Sequence, residues 1–465
     1  MKHRYKTLIK DTAIFAAGSI ASKAIMFFLV PFYTSHLSAA DYGIADYIFT
    51  IAQMIMPFAS VVIFDAVIRF GIQRQDRPQD VLLIGLIIWF LGSAVVFLLA
   101  PLLGLYPAVS RWRWYISAYV SLNMLLSINL NYLKAIEKNG LYAVICVTET
   151  LLLALANIYF LAFRELGVQG YVLAYLLANA ICIALSAIFG GLVPALRQAR
   201  FEKKLAVEMV RYSSPLIFNN ISWWVIQSSD KVMIEEMVSD TALGLYNVAA
   251  KMPSLISVFV TVFQQAWGIS SSREMDSTND SSFFTTVFEL YCFAAFSACV
   301  FLTAIAKIFM HIYVPGAEYA SAWQYVPLLL VSAVFSAIGG YCGGLYGALK
   351  KSVNNMLSTV TAAAVNLIVN YIAIKMCGLW GAIIGTVVAY IFLGLYRLFD
   401  VKRFVQIDAD WNRFFINGAI ILLQAILVSL QVFGYFVSAA AVVLFAVVNW
   451  KYILRMVSQF HLRRK

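Results

Sequence analysis

Charge is what this sequence holds least of. Asp, Glu, Lys and Arg together make up 12% of its 465 residues, while 62% are hydrophobic. A water-soluble fold of that length could not hide so much apolar surface, so the chain must use lipid as part of its solvent. Histidine is scarcer still: His3, His36, His311 and His461 are all there are, and they form no ligand cluster. The six cysteines, Cys146, Cys182, Cys292, Cys299, Cys342 and Cys377, include no C-x-x-C pair and mostly fall inside apolar runs. That pattern speaks against a disulfide framework and a thiolate metal site, and leaves small core hydrophobes. No metal and no organic cofactor is expected. The net charge is +11, but the basic residues sit in breaks between apolar runs and form no patch on a soluble domain. Nucleic acid is therefore excluded as a partner.

What the sequence does have is apolar runs of about 20 residues separated by short polar breaks, which suits helices rather than barrel strands. The expected fold is an all-α membrane protein of about fourteen transmembrane helices. They fall at roughly 12–36, 42–70, 81–106, 112–135, 141–163, 168–192, 212–236, 242–270, 283–312, 322–348, 353–376, 378–400, 412–433 and 435–456. The N-terminal stretch MKHRYKTLIKDTAIFAAGSIASKAIMFFLV has the look of a signal peptide. Lys23 interrupts it, however, and the run continues to about Pro31, so it reads as a retained first helix.

Basic residues alternate between breaks. The N-terminal tail carries Lys2, Arg4, Lys6 and Lys10. Every second break is basic as well: Arg74 and Arg77; Lys134 and Lys138; Arg197, Arg200, Lys203 and Lys204; Arg273; Lys350 and Lys351; Arg397, Lys402 and Arg403. Arg455, Arg463, Arg464 and Lys465 close the chain. The opposite breaks hold only Arg111, Arg113, Arg164 and Lys375. By the positive-inside rule both termini are cytoplasmic and the helix count is even.

The chain also repeats itself. LSAADYGIADYIFTIAQ aligns with VSDTALGLYNVAAKMPS at an offset of 201, with Gly43 over Gly244. Asn157 meets Asn370 at offset 213, and GVQGYVLAYLLA meets GLWGAIIGTVVA at offset 211, with Gly167 over Gly378 and Gly170 over Gly381. Each half spans six helices, an even number, so both halves share one orientation and should pack about an axis along the membrane normal. The expected divisions are a bundle over 1–205, a second over 206–403, and two additional helices with a basic tail over 404–465. Two similar halves are transporter architecture. A membrane glycan polymerase or acyltransferase, the competing class, usually needs a sizeable external loop or a His/Asp centre. The external breaks here are short and His-poor, so a non-enzyme is expected.

An ionisable group at mid-bilayer costs about 2.5–3.5 kcal/mol on insertion scales and normally faces a cavity or a partner. Asp46, Thr50, Gln53, Pro57 and Ser60 share one face of the second predicted helix. Asn247, Lys251, Ser254, Ser257, Thr261 and Gln264 share one face of the eighth. The 201 offset superposes the two stripes, Asp46 on Asn247 and Thr50 on Lys251. A central aqueous cavity is one reading and interhelical hydrogen bonding the other. Lys251 favours the cavity because it needs water or a counter-ion. Lys23 lies halfway along the first predicted helix and reads as a cavity-facing cation. Lys231 and Glu235 stand at i,i+4 and suit a pair, while Asp230 points about 100° away and needs another partner, such as Lys23 or Lys251; these residues fall near the external end, where a solvated rim is the other reading. The i,i+4 residues Asp65 and Arg69 suit a structural or gating ion pair. Glu149 is a lone acid, either protonatable or neutral and hydrogen-bonded. GGYCGGLYG, residues 339–347, carries overlapping GxxxG patterns that suit close helix packing.

AIFAAGSIASKAIMFFLVPFYTSHLSAADYGIADY and SSDKVMIEEMVSDTALGLYNVAAKM carry a family resemblance. The first resembles the opening of polysaccharide-export flippases: a Gly-containing helix, a Pro near its end, and a DYG turn into the next helix. The second resembles that family's seventh helix and its LG-Y-A turn. Over residues 1 to about 400 the chain resembles O-antigen and capsule repeat-unit flippases, called Wzx, of the multidrug/oligosaccharidyl-lipid/polysaccharide (MOP) exporter superfamily. The resemblance implies two pseudo-symmetric six-helix bundles (MATE/MOP-like) plus two C-terminal helices, in a bacterial cytoplasmic (inner) membrane. It implies an undecaprenyl-pyrophosphate-linked oligosaccharide as substrate, alternating access, polysaccharide polymerase and chain-length machinery as partners, and coupling to H+ or Na+. Lys23, Lys231 and Lys251 would then offset the desolvation of an anionic diphosphate, and Asp65, Arg69, Glu149 and Asp230 would serve gating or ion coupling. The alternatives are a MATE-type drug or cation exporter and a peptidoglycan lipid-precursor flippase. Drug exporters of this kind usually have twelve helices and acidic cavities.

Overall fold

The computed structural model describes residues 21–74, 76–277, 281–349 and 351–462. The predicted start of the first helix (12–20), Lys350 and the basic termini with Lys2, Arg4, Lys6, Lys10, Arg463, Arg464 and Lys465 lie outside them. Every regular element among the described residues is helical. The chain is a multi-pass membrane protein that divides into two compact units, Met1–Glu235 and Glu236–Lys465.

The first unit holds α1 (21–36), α2 (Ala39–Ser60), α3 (Ile63–Gln73), α4 (Pro78–Leu103), the short α5 (Pro107–Ser110), α6 (Arg113–Ala135), α7 (Asn139–Asn157), α8 (Gly167–Gly190), the short α9 (Leu192–Arg197) and nearly all of α10 (Lys203–Met237). The second holds α11 (Asp240–Ala249), α12 (Ser254–Ser277), α13 (Ser281–Tyr313), α14 (Val326–Ala348), α15 (Ser352–Cys377), α16 (Leu379–Val401), α17 (Trp411–Ser429) and α18 (Tyr435–Leu462). Among the described residues eight helices are long and apolar enough to cross a membrane, or ten if each bent pair is one span. Their order is consistent with the expected fourteen crossings.

The repeat is written in the backbone. Ser38 caps α2 by accepting from the Asp41 amide, and Ser239 caps α11 by accepting from the Ala242 amide. These serines stand 201 residues apart, the offset read from the sequence. Gly167 (φ 55°) and Gly378 (φ 57°) both turn the chain with positive φ, a conformation open to glycine. Three residues on, a Cβ on Gly170 would come within 3.0 Å of Phe160, and one on Gly381 within 2.1 Å of the Ala373 carbonyl. Each half thus closes a tight helical hairpin at equivalent glycines.

The second and eighth predicted helices are not continuous. Each is a pair of helices bent by 49°, α2 with α3 and α11 with α12. Val61 (φ 50°) and Val62 (φ 53°) make the first break. Two consecutive β-branched residues in the left-handed region are strained. Ser60 holds the turn, donating to the Met56 carbonyl and accepting from the Val62 amide. The second break falls over 250–253, ahead of the α12 start at Ser254.

The first unit's core joins Ile63, Val67, Leu82, Ile128, Leu133 and Met209. Beside it lies an aromatic nest of Tyr33, Tyr42, Phe49, Tyr119, Tyr171 and Tyr175, from α1, α2, α6 and α8. In the second unit α14 is the spine, and its glycines explain why. A Cβ on Gly340 or Gly344 would strike Gln264 or Trp267 of α12, and Gly339 and Gly343 face Leu393 and Arg397 of α16. The GxxxG patterns admit neighbours on two sides. Polar groups fasten the C-terminal pair to α13: Arg413 to Glu289 at 2.8 Å, the Asp408 amide to Thr285, and Gln424 to the Val300 carbonyl. Asn417 and Asn449 join α17 to α18 through reciprocal amide hydrogen bonds.

Candidate functional site

In the first unit Lys231 of α10 bonds Asp46 of α2 at 2.7 Å. The two side chains are 22% and 20% exposed, so the pair is held mostly out of water. Around it, Thr50 is buried and its hydroxyl donates to the Asp46 carbonyl, while the indole of Trp224 donates to the Thr50 carbonyl at 3.0 Å. α10 is thereby pinned to α2 by an ion pair and an indole two turns apart. Asp230 is buried, and its carboxylate accepts from the Lys231 amide at 2.9 Å. The arrangement holds a lysine ammonium against a carboxylate largely out of water. Gln53 of the same stripe is exposed, and so is Lys23 of α1.

Glu149 of α7 is partly buried and lies within electrostatic reach of Tyr119, Tyr142 and Tyr175. The expected Asp65–Arg69 ion pair is not made. Arg69 is exposed and lays its guanidinium over the Tyr212 ring, 4.2 Å from the centroid, and Asp65 faces the charge of Lys134 instead. A ring offered by α10 competes successfully with a carboxylate one turn away. Lys231 likewise takes Asp46 rather than the expected Glu235.

Lys251 belongs to the second unit and sits in the break between α11 and α12. Past it Ser254 and Ser257 are exposed, and Thr261 donates to the Ser257 carbonyl. Gln264 is exposed, with its amide against Gly340. Asn247, which aligns with Asp46, is buried, and neither amide atom has a hydrogen-bond partner among the described residues.

Two features escape the sequence reading. Arg397 is not in a basic break: it lies in α16, 2% exposed. Its guanidinium donates to Ser358, Thr359 and the carbonyls of Gly339 and Asn355. Its apolar flanks in IFLGLYRLFDV were the available signal. The other is a clasp in the first unit. Arg74 meets Glu202 at 2.7 Å, Arg77 meets Asp80 at 2.9 Å, and Asp80 accepts from the Arg200 amide. The Arg74 hydrogen bond holds the Glu202 carboxyl below the ordinary range.

The family model described as polysaccharide biosynthesis protein matches residues 8–268. Two proteins of Haemophilus influenzae are similar to 56% of the chain: a protein of the Lsg locus at 22% identity over 264 residues, and an uncharacterized membrane protein at 23% over 276. The matches span 64% of each relative, less than two thirds of their length. In fold the chain is similar to the lipid II flippase MurJ in an inward closed conformation, with a TM-score of 0.70 at 14% identity over 96% of this chain and 99% of that one. It is also similar to an inward-facing MATE-family multidrug resistance transporter of the MOP superfamily, with a TM-score of 0.66 at 14% identity over 83% and 95%.

Proposed function

Because the chain belongs to the polysaccharide biosynthesis protein family, we propose that it is a flippase. Its cargo is an undecaprenyl-pyrophosphate-linked oligosaccharide repeat unit, moved across the bacterial inner membrane by alternating access for O-antigen, capsule or exopolysaccharide. Both termini face the cytoplasm, and a polysaccharide polymerase with its chain-length machinery takes the product. The observation that carries this reading is the Lys231–Asp46 pair. A diphosphate brings two negative charges and more acceptor oxygens than one carboxylate, so cargo binding would draw Lys231 off Asp46. Lys23 adds to the anion's compensation, and the Thr50 hydroxyl and Gln53 amide of the α2 stripe meet sugar hydroxyls. Asp46, released, and Glu149 or Asp230 are the acids through which H+ or Na+ would couple.

The test is mass spectrometry of lipid extracts from the native cell with and without the protein, with leaflet accessibility of the glycan measured alongside. Build-up of a completed undecaprenyl-pyrophosphate-linked unit facing the cytoplasm is the expected outcome. Unchanged lipids and unchanged surface glycan would overturn the reading and direct attention to drug export.

A further inference from the structure

The second unit carries a cavity of about 690 Å³ that the transport reading does not use. It opens where α13 ends, and the turns after Pro315 and the first residue of α18 complete its wall. That volume is in the range of pockets that take small ligands, roughly 300–1,000 Å³. Three side chains in its lining bring N–H donors: Lys307, His311 one turn on, and the indole of Trp323, whose ring centroid lies 4.9 Å from the Lys307 ammonium. No Asp or Glu lines the cavity among the described residues. The other walls are Trp323, Tyr435 and the apolar Ile308 and Ile312, the last two 51% and 77% exposed.

The position along the membrane is fixed by α17. Its nineteen residues span about 28 Å, close to the ~30 Å hydrocarbon thickness of a bilayer. The cavity sits at the α17–α18 turn, so it lies one membrane thickness from the Lys402–Arg403 break. Tyr and Trp at that depth mark the interface between hydrocarbon and headgroups. An acid-free set of donors at headgroup level, two of them on basic side chains, with isoleucines open to the acyl region, matches one kind of occupant: an anionic amphiphile with its phosphate at the interface.

We propose that this cavity binds the phosphate of an anionic glycerophospholipid in the leaflet opposite the Lys402–Arg403 break. Lys307 and His311 donate to the phosphate oxygens, Tyr435 and Trp323 border the headgroup, and the acyl chains run along Ile308 and Ile312. A phosphoglycerol headgroup fits a volume of this size. A diphosphate carrying several sugars would leave most of itself in water. Charge complementarity selects against zwitterionic lipid, whose ammonium would meet Lys307.

The experiment uses the purified full-length protein in detergent, reloaded with phosphatidylglycerol or phosphatidylcholine and delipidated stepwise in native mass spectrometry. Retained phosphatidylglycerol should exceed phosphatidylcholine by about fivefold for each cation engaged. Lys307→Gln with His311→Gln should bring the ratio near unity. Both side chains are exposed, so the variant should fold. Lys375→Gln, an exposed cation outside the cavity, should leave the ratio unchanged. Equal retention of the two lipids by the wild type, or an unchanged ratio in the double variant, would overturn the assignment. So would a polyprenyl phosphate that is retained through Lys307 and His311 while phosphatidylglycerol is not.

Discussion

Lys231 and Asp46 show what one residue can decide. Breaking a buried ion pair by removing one partner costs about 3–5 kcal/mol, whereas an exposed pair is worth about 0–1. With side chains 22% and 20% exposed, this pair lies between. Asp46→Asn should therefore destabilise the purified protein by about 1–3 kcal/mol, because Lys231 loses its counter-charge. Lys231→Met combined with Asp46→Asn should recover most of that loss in a thermal melt. On the proposed role of Lys231, transport should not recover, because the double variant lacks the cation. A double variant as unstable as Asp46→Asn, or one that exports glycan normally, would sink the role given to the pair. Both residues stand out in the sequence as charges in apolar runs. Their pairing does not, because 185 positions separate them and only the fold brings α10 against α2. Asp65 and Arg69 teach the converse. Their spacing allows a pair, but Tyr212 arrives from α10 and takes the guanidinium.

At the scale of elements, the repeat was legible wherever glycine carries it. Gly167 and Gly378, and Gly170 and Gly381, mark the same hairpin twice because the first pair takes a positive φ and the second leaves no room for a Cβ. The bends were not legible. Val61 and Val62 are β-branched, and nothing in their chemistry announces left-handed backbone. One further contact tests the α15–α16 hairpin. A Cβ on Gly385 would lie 1.9 Å from the amide oxygen of Asn370, which is fully buried. Gly385→Ala should cost about 1–3 kcal/mol, the usual range for overpacking a tight core. Asn370→Ala in the same chain should relieve part of that cost, giving a coupling of about 0.5–3 kcal/mol in a double-mutant cycle, as residues in contact do. Strictly additive losses would mean that the hairpin opens to admit the methyl group.

At the scale of the whole molecule, the even spacing of basic breaks carried most of the reading, and it makes a claim about sides that one native residue can check. Arg397 is the exception to the pattern. Buried among neutral acceptors, it contributes nothing to the loop charge, and the break after α16 keeps its sign through Lys402 and Arg403. Cys377 is exposed at the end of α15, while the other five cysteines are buried or partly so. The twenty-three residues of α16 carry the chain about 35 Å from there to Lys402, more than the ~30 Å hydrocarbon core. In the proposed orientation Cys377 and Lys402 lie on opposite sides, with Lys402 in the cytoplasm. A membrane-impermeant maleimide added to intact cells should label the wild-type chain at Cys377. A Cys377→Ser, Lys402→Cys chain should stay unlabelled until the membrane is permeabilised. Labelling at 402 in intact cells with none at 377 would invert the molecule, and the cavity beside Lys307 would then face the cytoplasmic leaflet.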